Sequence, residues 1–434
     1  MKTPFKVFAL AALLLLPAGA AGQAGPPPEA RLRLEDVLRD LEARNPRLRA
    51  VRSVASAAGA REPEASTLPD PMVQLGLMNV GLPDLNADMA MTMAPAVQLT
   101  QMFPFPGKLS LKGEIASLGT AMAVAGSDEV WWALREKAST LFYGIYAVDR
   151  QLEVMHATLD LLKDFQEVAR SMYRTGKGLQ ADVLRADVEV ARMDGEIERM
   201  QARRVALAAR LNALLDYPAD RPVAAPALDS LPLQVPDKAT LSAWAEENRP
   251  VLEKLRLGVE QARTRVELAR KEIWPNFSVG VQYGQRDRGS GPERMGSAMV
   301  GFSIPVHAGS RQYAFREEAA AMADVAEADL GDVRAAVDAR IDELLADLRQ
   351  ARTLIRLYRE EILPQARTTV QSSFSAYRVG AVDFMTLVDA QMSVNRFEGE
   401  YYKLLSQYGS ALAALESAVG RTLPKSEQTL MEAS

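Results

Sequence analysis

The chain carries one pattern twice at a constant spacing. Tyr173-Arg174-Thr175-Gly176 recurs 204 positions later as Tyr377-Arg378-Val379-Gly380, Asn45-Pro46-Arg47-Leu48 as Arg249-Pro250-Val251-Leu252, and Asp70-Pro71 as Trp274-Pro275. Three pairs in one register mark a duplication, and units of about two hundred residues exclude a solenoid of short repeats. The fold must therefore be assembled from two copies of one large module. The copies are expected over residues 29–217 and 238–423, with a tail over 424–434. Between them, Pro218, Pro222, Pro226, Pro232 and Pro236 mark an extended linker over 218–237.

Each copy opens with helical sequence. Leu34-Glu35-Asp36-Val37-Leu38 leads through Asn45-Pro46 towards Arg61, and Thr240-Leu241 leads through Arg249-Pro250 towards Ile273, where Trp274-Pro275 turns the chain out of helix. Phe277, Val279, Val281 and Tyr283 then alternate with Ser278, Gly280, Gln282 and Gly284. That period of two belongs to a strand whose faces meet different media. Val73, Leu75 and Leu77 repeat the alternation in the first copy, as do Val97 and Leu99, while Ala298, Val300, Phe302 and Ile304 carry it in the second. Strands are expected near 72–80, 95–102, 276–285 and 297–305.

Half-apolar strands ordinarily pair into a soluble sandwich. Here the remaining sequence is almost all helix with its own apolar seam, so no layer is left to cover them. The alternation is satisfied if Val73, Leu75, Leu77, Phe277, Val279, Val281, Tyr283, Val300 and Phe302 face lipid and the small polar residues face water, provided that the sheet closes. Four strands cannot close, so several chains must contribute. A trimer supplies twelve.

After its second strand each copy turns through a corner, Pro104-Phe105-Pro106-Gly107-Lys108 or Pro305-Val306-His307-Ala308-Gly309, into a long heptad seam. Leu134, Ala138, Leu141, Ile145, Val148, Leu152, Met155, Leu159 and Leu162 form it in the first copy, and Val337, Ile341, Leu344, Leu348, Ala351, Ile355, Tyr358 and Ile362 in the second. Tight breaks at Gly176-Lys177-Gly178 and Gly380 lead into return helices, with Gly where a helix C-cap favours it. Antiparallel hairpins are thus expected over 109–217 and 311–420. Pro364, which stands where the first copy has Asp160, is expected to kink or break the second long helix.

Lys2 and Lys6, an apolar run from Val7 to Leu16 and small residues up to Ala21 predict a secretory signal peptide over 1–22. Its apolar run is short of the roughly 20 residues that a spanning helix needs. Cys is absent, which excludes disulfides, thiolate metal sites and thiol catalysis. The formal charge of -5, spread along the chain, argues against nucleic acid as a partner. Neither His156 nor His307 is paired with a nucleophile or a ligand cluster, and no phosphate-cradling Gly loop occurs. No catalytic residue, cofactor or metal site is therefore expected, and the chain is not expected to be an enzyme.

The duplicated order of helix, two strands and helical hairpin, with Asn45-Pro46, Gly107-Lys108 and the tip segments 173–186 and 377–391, resembles the TolC family of outer membrane factors. The resemblance covers essentially the whole mature chain. It implies a mostly α fold with a membrane β-barrel contribution: a homotrimer whose twelve-stranded barrel in outer membrane lipid, four strands per chain, continues as an α-helical barrel deep in the periplasm. It also implies a channel that completes a tripartite efflux system with a periplasmic membrane fusion (adaptor) protein and an inner-membrane RND-type pump.

Within that resemblance, the hairpin tips form the periplasmic entrance. Tyr377 matches the tyrosine of the inner hairpin, Asp182 the aspartate it bonds to, Asp389 an aspartate ringing the aperture and Asp383 an acidic tip position. Val382 stands where some relatives carry a locking arginine. Gly176, Gly178 and Gly380 mark the turns that meet the adaptor. Three copies of Asp383 or Asp389 around a narrow opening would form an anionic ring, although an acidic residue at a helix start is as readily an N-cap.

The corner Gln101-Met102-Phe103-Pro104-Phe105-Pro106-Gly107-Lys108 is similar to that of heavy-metal-efflux members. Met72, Met78, Met89, Met91, Met93 and Met102 cluster around the first strand pair, where thioethers suit Cu(I) or serve as adaptable packing. Multidrug efflux and type I secretion stay open as alternatives. So does a soluble periplasmic coiled-coil adaptor, which shares the hairpins but needs neither the strands nor the duplication.

Overall fold

A computed structural model describes residues 31–78, 92–228, 231–287 and 291–424. The expected signal peptide lies outside the described residues, as does all of the tail but residue 424. Each repeat begins with two helices rather than one continuous helical stretch: α1 (Leu34–Arg44) and α2 (Pro46–Ser66), then α5 (Lys238–Asn248) and α6 (Pro250–Lys271). Pro at the first helical position has no N–H to give and pushes the preceding residue to extended backbone, with ψ 121° at Asn45 and 114° at Arg249. Asn45 uses both ends of its amide. Its Oδ1 accepts from Leu48 N at 2.9 Å, capping α2, and its Nδ2 donates to Leu214 O at 2.7 Å, tying the break to the end of a distant helix.

The strands are β1 (Met72–Met78), β2 (Met93–Phe103), β3 (Phe277–Asp287) and β4 (Pro292–Phe302), paired antiparallel in the order β1-β2-β3-β4. Residues 79–80 of the first expected strand lie outside the described residues. The last strand starts and stops earlier than its alternation indicates. Its ladder with β3 runs on to Asp287↔Pro292 and is clamped near that end by Arg286 Nε donating to Glu293 Oε2 at 2.7 Å, where no apolar alternation could reveal it. At the other end, Pro275 ends the partner strand, so the ladder stops at Phe277↔Phe302 and Ile304 falls outside it.

The register sorts the two faces. Leu75, Val97 and Tyr283 form one cross-strand row, Val73, Leu99 and Val281 the next, and Phe103, Phe277 and Phe302 a third. On this face Leu75 is 76% exposed and Val300 65%. The opposite face carries the row Gln74, Gln98, Gln282 and Ser297 together with Gly280 and Gly284. The sheet thus shows solvent its apolar side, the reverse of a water-soluble sheet.

The hairpins follow. Helix α3 (Lys108–Arg174) is a single 67-residue helix, on the order of 100 Å long, and α4 (Gln180–Leu214) returns along it. In the second repeat the same span is divided into α7 (Gln312–Leu357), a π-helical turn (Tyr358–Ile362) and α8 (Leu363–Arg378), followed by α9 (Phe384–Val419). The break expected at Leu363-Pro364 is this π turn. Pro364 cannot donate to the carbonyl one turn back, and a wider turn ahead of it absorbs the mismatch without changing the length of the span.

A large cluster including Phe142, Ile145, Leu211, Ile341, Leu348, Tyr408 and Leu415 welds both hairpins to α1 and α5. The linker is laid against these helices: Leu32 N donates to Ala225 O at 3.0 Å, and Tyr408 Oη donates to Pro232 O at 2.7 Å. No described helix is long and apolar enough to cross a membrane.

Candidate functional site

The remote ends of the hairpins carry the second core. Phe165, Ala169 and Ala186 of the first hairpin pack with Tyr377, Phe384, Leu387 and Val388 of the second. Phe165 stacks on Phe374 at 5.4 Å, and Tyr377 meets Phe384 edge-on at 5.5 Å. Both turns are closed by glycine in the left-handed region, Gly176 at φ 74° and Gly380 at φ 75°. The two loops share one bonding pattern, in which Gly176 N donates to Tyr173 O and Gly380 N to Tyr377 O, at 3.0 and 2.9 Å. Gly178 sits against the backbone of Met172 and Tyr173, where a Cβ would lie 3.2 Å from each. Gly178 therefore serves close packing of the turn.

Tyr377 is buried, and its hydroxyl has no hydrogen-bond partner among the described residues. Burial, with Asp182 on α4 adding its negative charge, pushes the phenol up to about 12, so it stays protonated at any working pH. Asp182 is thus close enough to be felt, but the bond implied between the two is not made within one chain. The ring is drawn into the apolar cluster by Phe384, which leaves the hydroxyl unpaired.

Asp383 and Asp389 are both exposed. Asp383 caps α9: its Oδ1 accepts from Thr386 N at 3.0 Å and from Thr386 Oγ1 at 2.5 Å. These bonds, with the positive charge of Arg185 on α4, hold its carboxyl below the usual range. It therefore remains anionic at a pH where an ordinary aspartate begins to lose its charge. The approach of Arg185 to Asp383 escapes sequence reading because the two lie about two hundred residues apart, yet it brings a positive charge from the first hairpin to the inner tip, where Val382 supplies none.

Below the tip the hairpins are pinned by ion pairs. Arg170 Nη2 and Gln166 Nε2 both donate to Asp187 Oδ1, at 3.0 and 2.6 Å, and Arg367 donates to Glu398 at 2.5 Å. Such exposed pairs contribute little stability singly and chiefly fix register.

At the opposite end, where sheet meets helices, Lys108 is 2% exposed. Its Nζ donates to Glu272 Oε2, Trp274 O and Asn276 Oδ1 at 3.0, 2.9 and 3.1 Å. Asn276 Oδ1 also accepts from Phe105 N at 3.1 Å, and the Phe105 ring stacks on Trp274 at 5.4 Å. Gly107, at φ 87°, lets the chain turn sharply into α3 and aim Lys108 inward. The corner of the first repeat is thereby bolted to the turn between α6 and β3 of the second.

Residues 241–421 match the family model described as outer membrane efflux protein. Among solved structures, the outer-membrane channel OprN is 18% identical with a TM-score of 0.76, covering 89% of this chain and 89% of its own. CusC, whose structures concern transmembrane channel formation, is 15% identical with a TM-score of 0.78, covering 90% of this chain and 93% of its own. The outer membrane protein VceC of Vibrio cholerae is 17% identical with a TM-score of 0.76, covering 90% and 96%. A comparison with curated protein sequences found no match. The second repeat matches the efflux family's model, and about nine-tenths of the chain has the fold of these outer membrane channels, as the resemblance read from the sequence implies.

Proposed function

We propose that three copies of this chain form an outer membrane efflux channel, with the sheet in the lipid and the hairpins as a periplasmic tunnel. The observation that carries this reading is the inverted sheet, apolar where it meets solvent and polar on its other face, with β1 and β4 left as unpaired edges. Edge strands invite pairing, and joining the β4 of one copy to the β1 of the next removes every edge in a twelve-stranded barrel. The aromatic rings of Phe103, Phe105, Trp274, Phe277 and Phe302 gather where the sheet meets the helices, the level at which barrels carry an aromatic girdle. That band marks the periplasmic boundary of the membrane.

The tips then meet a periplasmic adaptor and, through it, an inner-membrane RND-type pump that chooses the cargo. Heavy-metal cations are the favoured cargo, on the corner sequence 101–108 and the methionines beside it. A strain lacking this protein is expected to lose tolerance to copper or silver, with tolerance restored by the wild-type chain. Loss of drug tolerance alone would overturn the metal assignment and leave the channel standing.

A further inference from the structure

The polar face of the sheet carries methionines that the sequence disperses. Met78 is the ladder partner of Met93, and Gly284 is the ladder partner of Met295. Gly284 joins the two pairs: a Cβ at this position would lie 3.0 Å from the sulfur of Met93. The irregularity in the β1–β2 ladder between Gly76 and Met78 is what turns Met93 to this side. Met78 shares it, since Gln282, on the polar row, donates from Nε2 to the Met78 sulfur. Thioethers from β1, β2 and β4 thus lie on the polar side of the sheet around Gln282 and Gly284, with Met295 on the Gly284 row and Met78 two residues further along β1, and the glycine leaves them room.

We propose that Met78, Met93 and Met295 form a binding site for a soft monovalent cation, Cu(I) or Ag(I), on the inner wall of the barrel. Thioether sulfur is a neutral, soft donor, and neutral soft ligands select Cu(I) and Ag(I) over Zn(II) or Mg(II). The competing chemistry is missing from the sequence, which has no Cys and two His, and the described residues include no cluster of three His, Asp or Glu suited to a harder ion. Roughly 13 Å along β3, Met299 repeats the arrangement: it is the ladder partner of Gly280, in the row that Met72 also joins. Two levels of thioethers offer a cation successive sites that hold it weakly enough to pass on. Met89 and Met91 lie outside the described residues and have no part here.

All three ligands come from one chain; only the site's position inside a lumen rests on the channel reading. The test is titration of the full-length protein in detergent with Cu(I), in competition with a chromophoric chelator, followed by X-ray absorption at the copper edge. The expected result is a sulfur-only first shell and an affinity that falls about tenfold or more in the M78L/M93L/M295L variant. Leu conserves volume, so folding and conductance persist, and Met322→Leu on α7 leaves binding unchanged. Equal affinity in wild type and triple variant, or a nitrogen and oxygen shell, would overturn the site. A conducting trimer that binds no Cu(I) removes the site and keeps the channel, whereas a non-conducting protein with a sulfur-bound copper does the reverse.

Discussion

Phe384→Ala raises the conductance of the protein in planar bilayers, and by more than the double change Tyr377→Phe with Asp182→Asn. Phe384 is 1% exposed and sits in the cluster that holds the two hairpins together at the tip, edge-on to Tyr377. Truncating a buried Phe costs about 3–5 kcal/mol, transfer and cavity together. Where those contacts exist only with the tip closed, even 3 kcal/mol moves the closed-to-open equilibrium by on the order of a hundredfold. The polar pair is expected to matter less because the Tyr377 hydroxyl makes no bond among the described residues that Phe would forfeit. Val379→Ala, at an exposed position of the same turn, leaves conductance unchanged. Wild-type conductance in Phe384→Ala would show that the apolar cluster is not the latch. Block by multivalent cations should persist at acid pH and weaken in Asp383→Asn, since the carboxyl keeps its charge below the usual range.

Lys108→Met destabilises the assembled protein by on the order of 3 kcal/mol, the lower end for breaking a buried pair because Glu272 keeps part of its contact with water. Met preserves most of the volume of the stem but leaves the Glu272 carboxylate, the Trp274 carbonyl and the Asn276 amide oxygen without their shared donor. The loss falls on the junction of sheet and helices. The check is the temperature at which the detergent-extracted oligomer dissociates, with Lys112→Met, one turn along and exposed, as the control. Equal dissociation temperatures would mean that Lys108 does not hold the junction.

The parts of the structure legible in the sequence are those in which side-chain period and face coincide. The alternation from Phe277 to Tyr283 identifies β3 and its lipid-type side because pleating puts every second residue on one face. The offset of 204 carries the length of α3 onto the span from Gln312 to Arg378 residue for residue. What was illegible depends on partners far along the chain. Asn45 looks like a mid-helix residue until Leu214 O is seen to accept from it. The polar start of β4 has no period of its own and is a strand only because β3 pairs with it.

The candidate site divides the same way. Tyr377 and Asp182 are found by matching tip segments, but the direction of the Tyr377 ring follows from Phe384 and Phe165, which no local pattern links. Asp383 caps α9 and is also exposed at the tip, so the cap leaves its charge free to face a neighbouring copy. Lys108 reads as an ordinary corner lysine. Its three acceptors come from the turn between α6 and β3 of the other repeat, at positions that mean nothing until that turn meets the corner.

A sheet that faces lipid and closes only in a trimer tolerates charge on one face and not on the other. The direct measurement is the state of the protein in detergent-extracted outer membrane, in wild type and in two neighbouring variants, Leu75→Arg and Gln74→Arg. Charge at the membrane midplane of a barrel costs about 2–4 kcal/mol on the lipid face, while the lumen accepts it. The expected result is a heat-resistant trimer for wild type and Gln74→Arg, lost or sharply reduced for Leu75→Arg. A soluble monomer in periplasmic extract, indifferent to both changes, would contradict it.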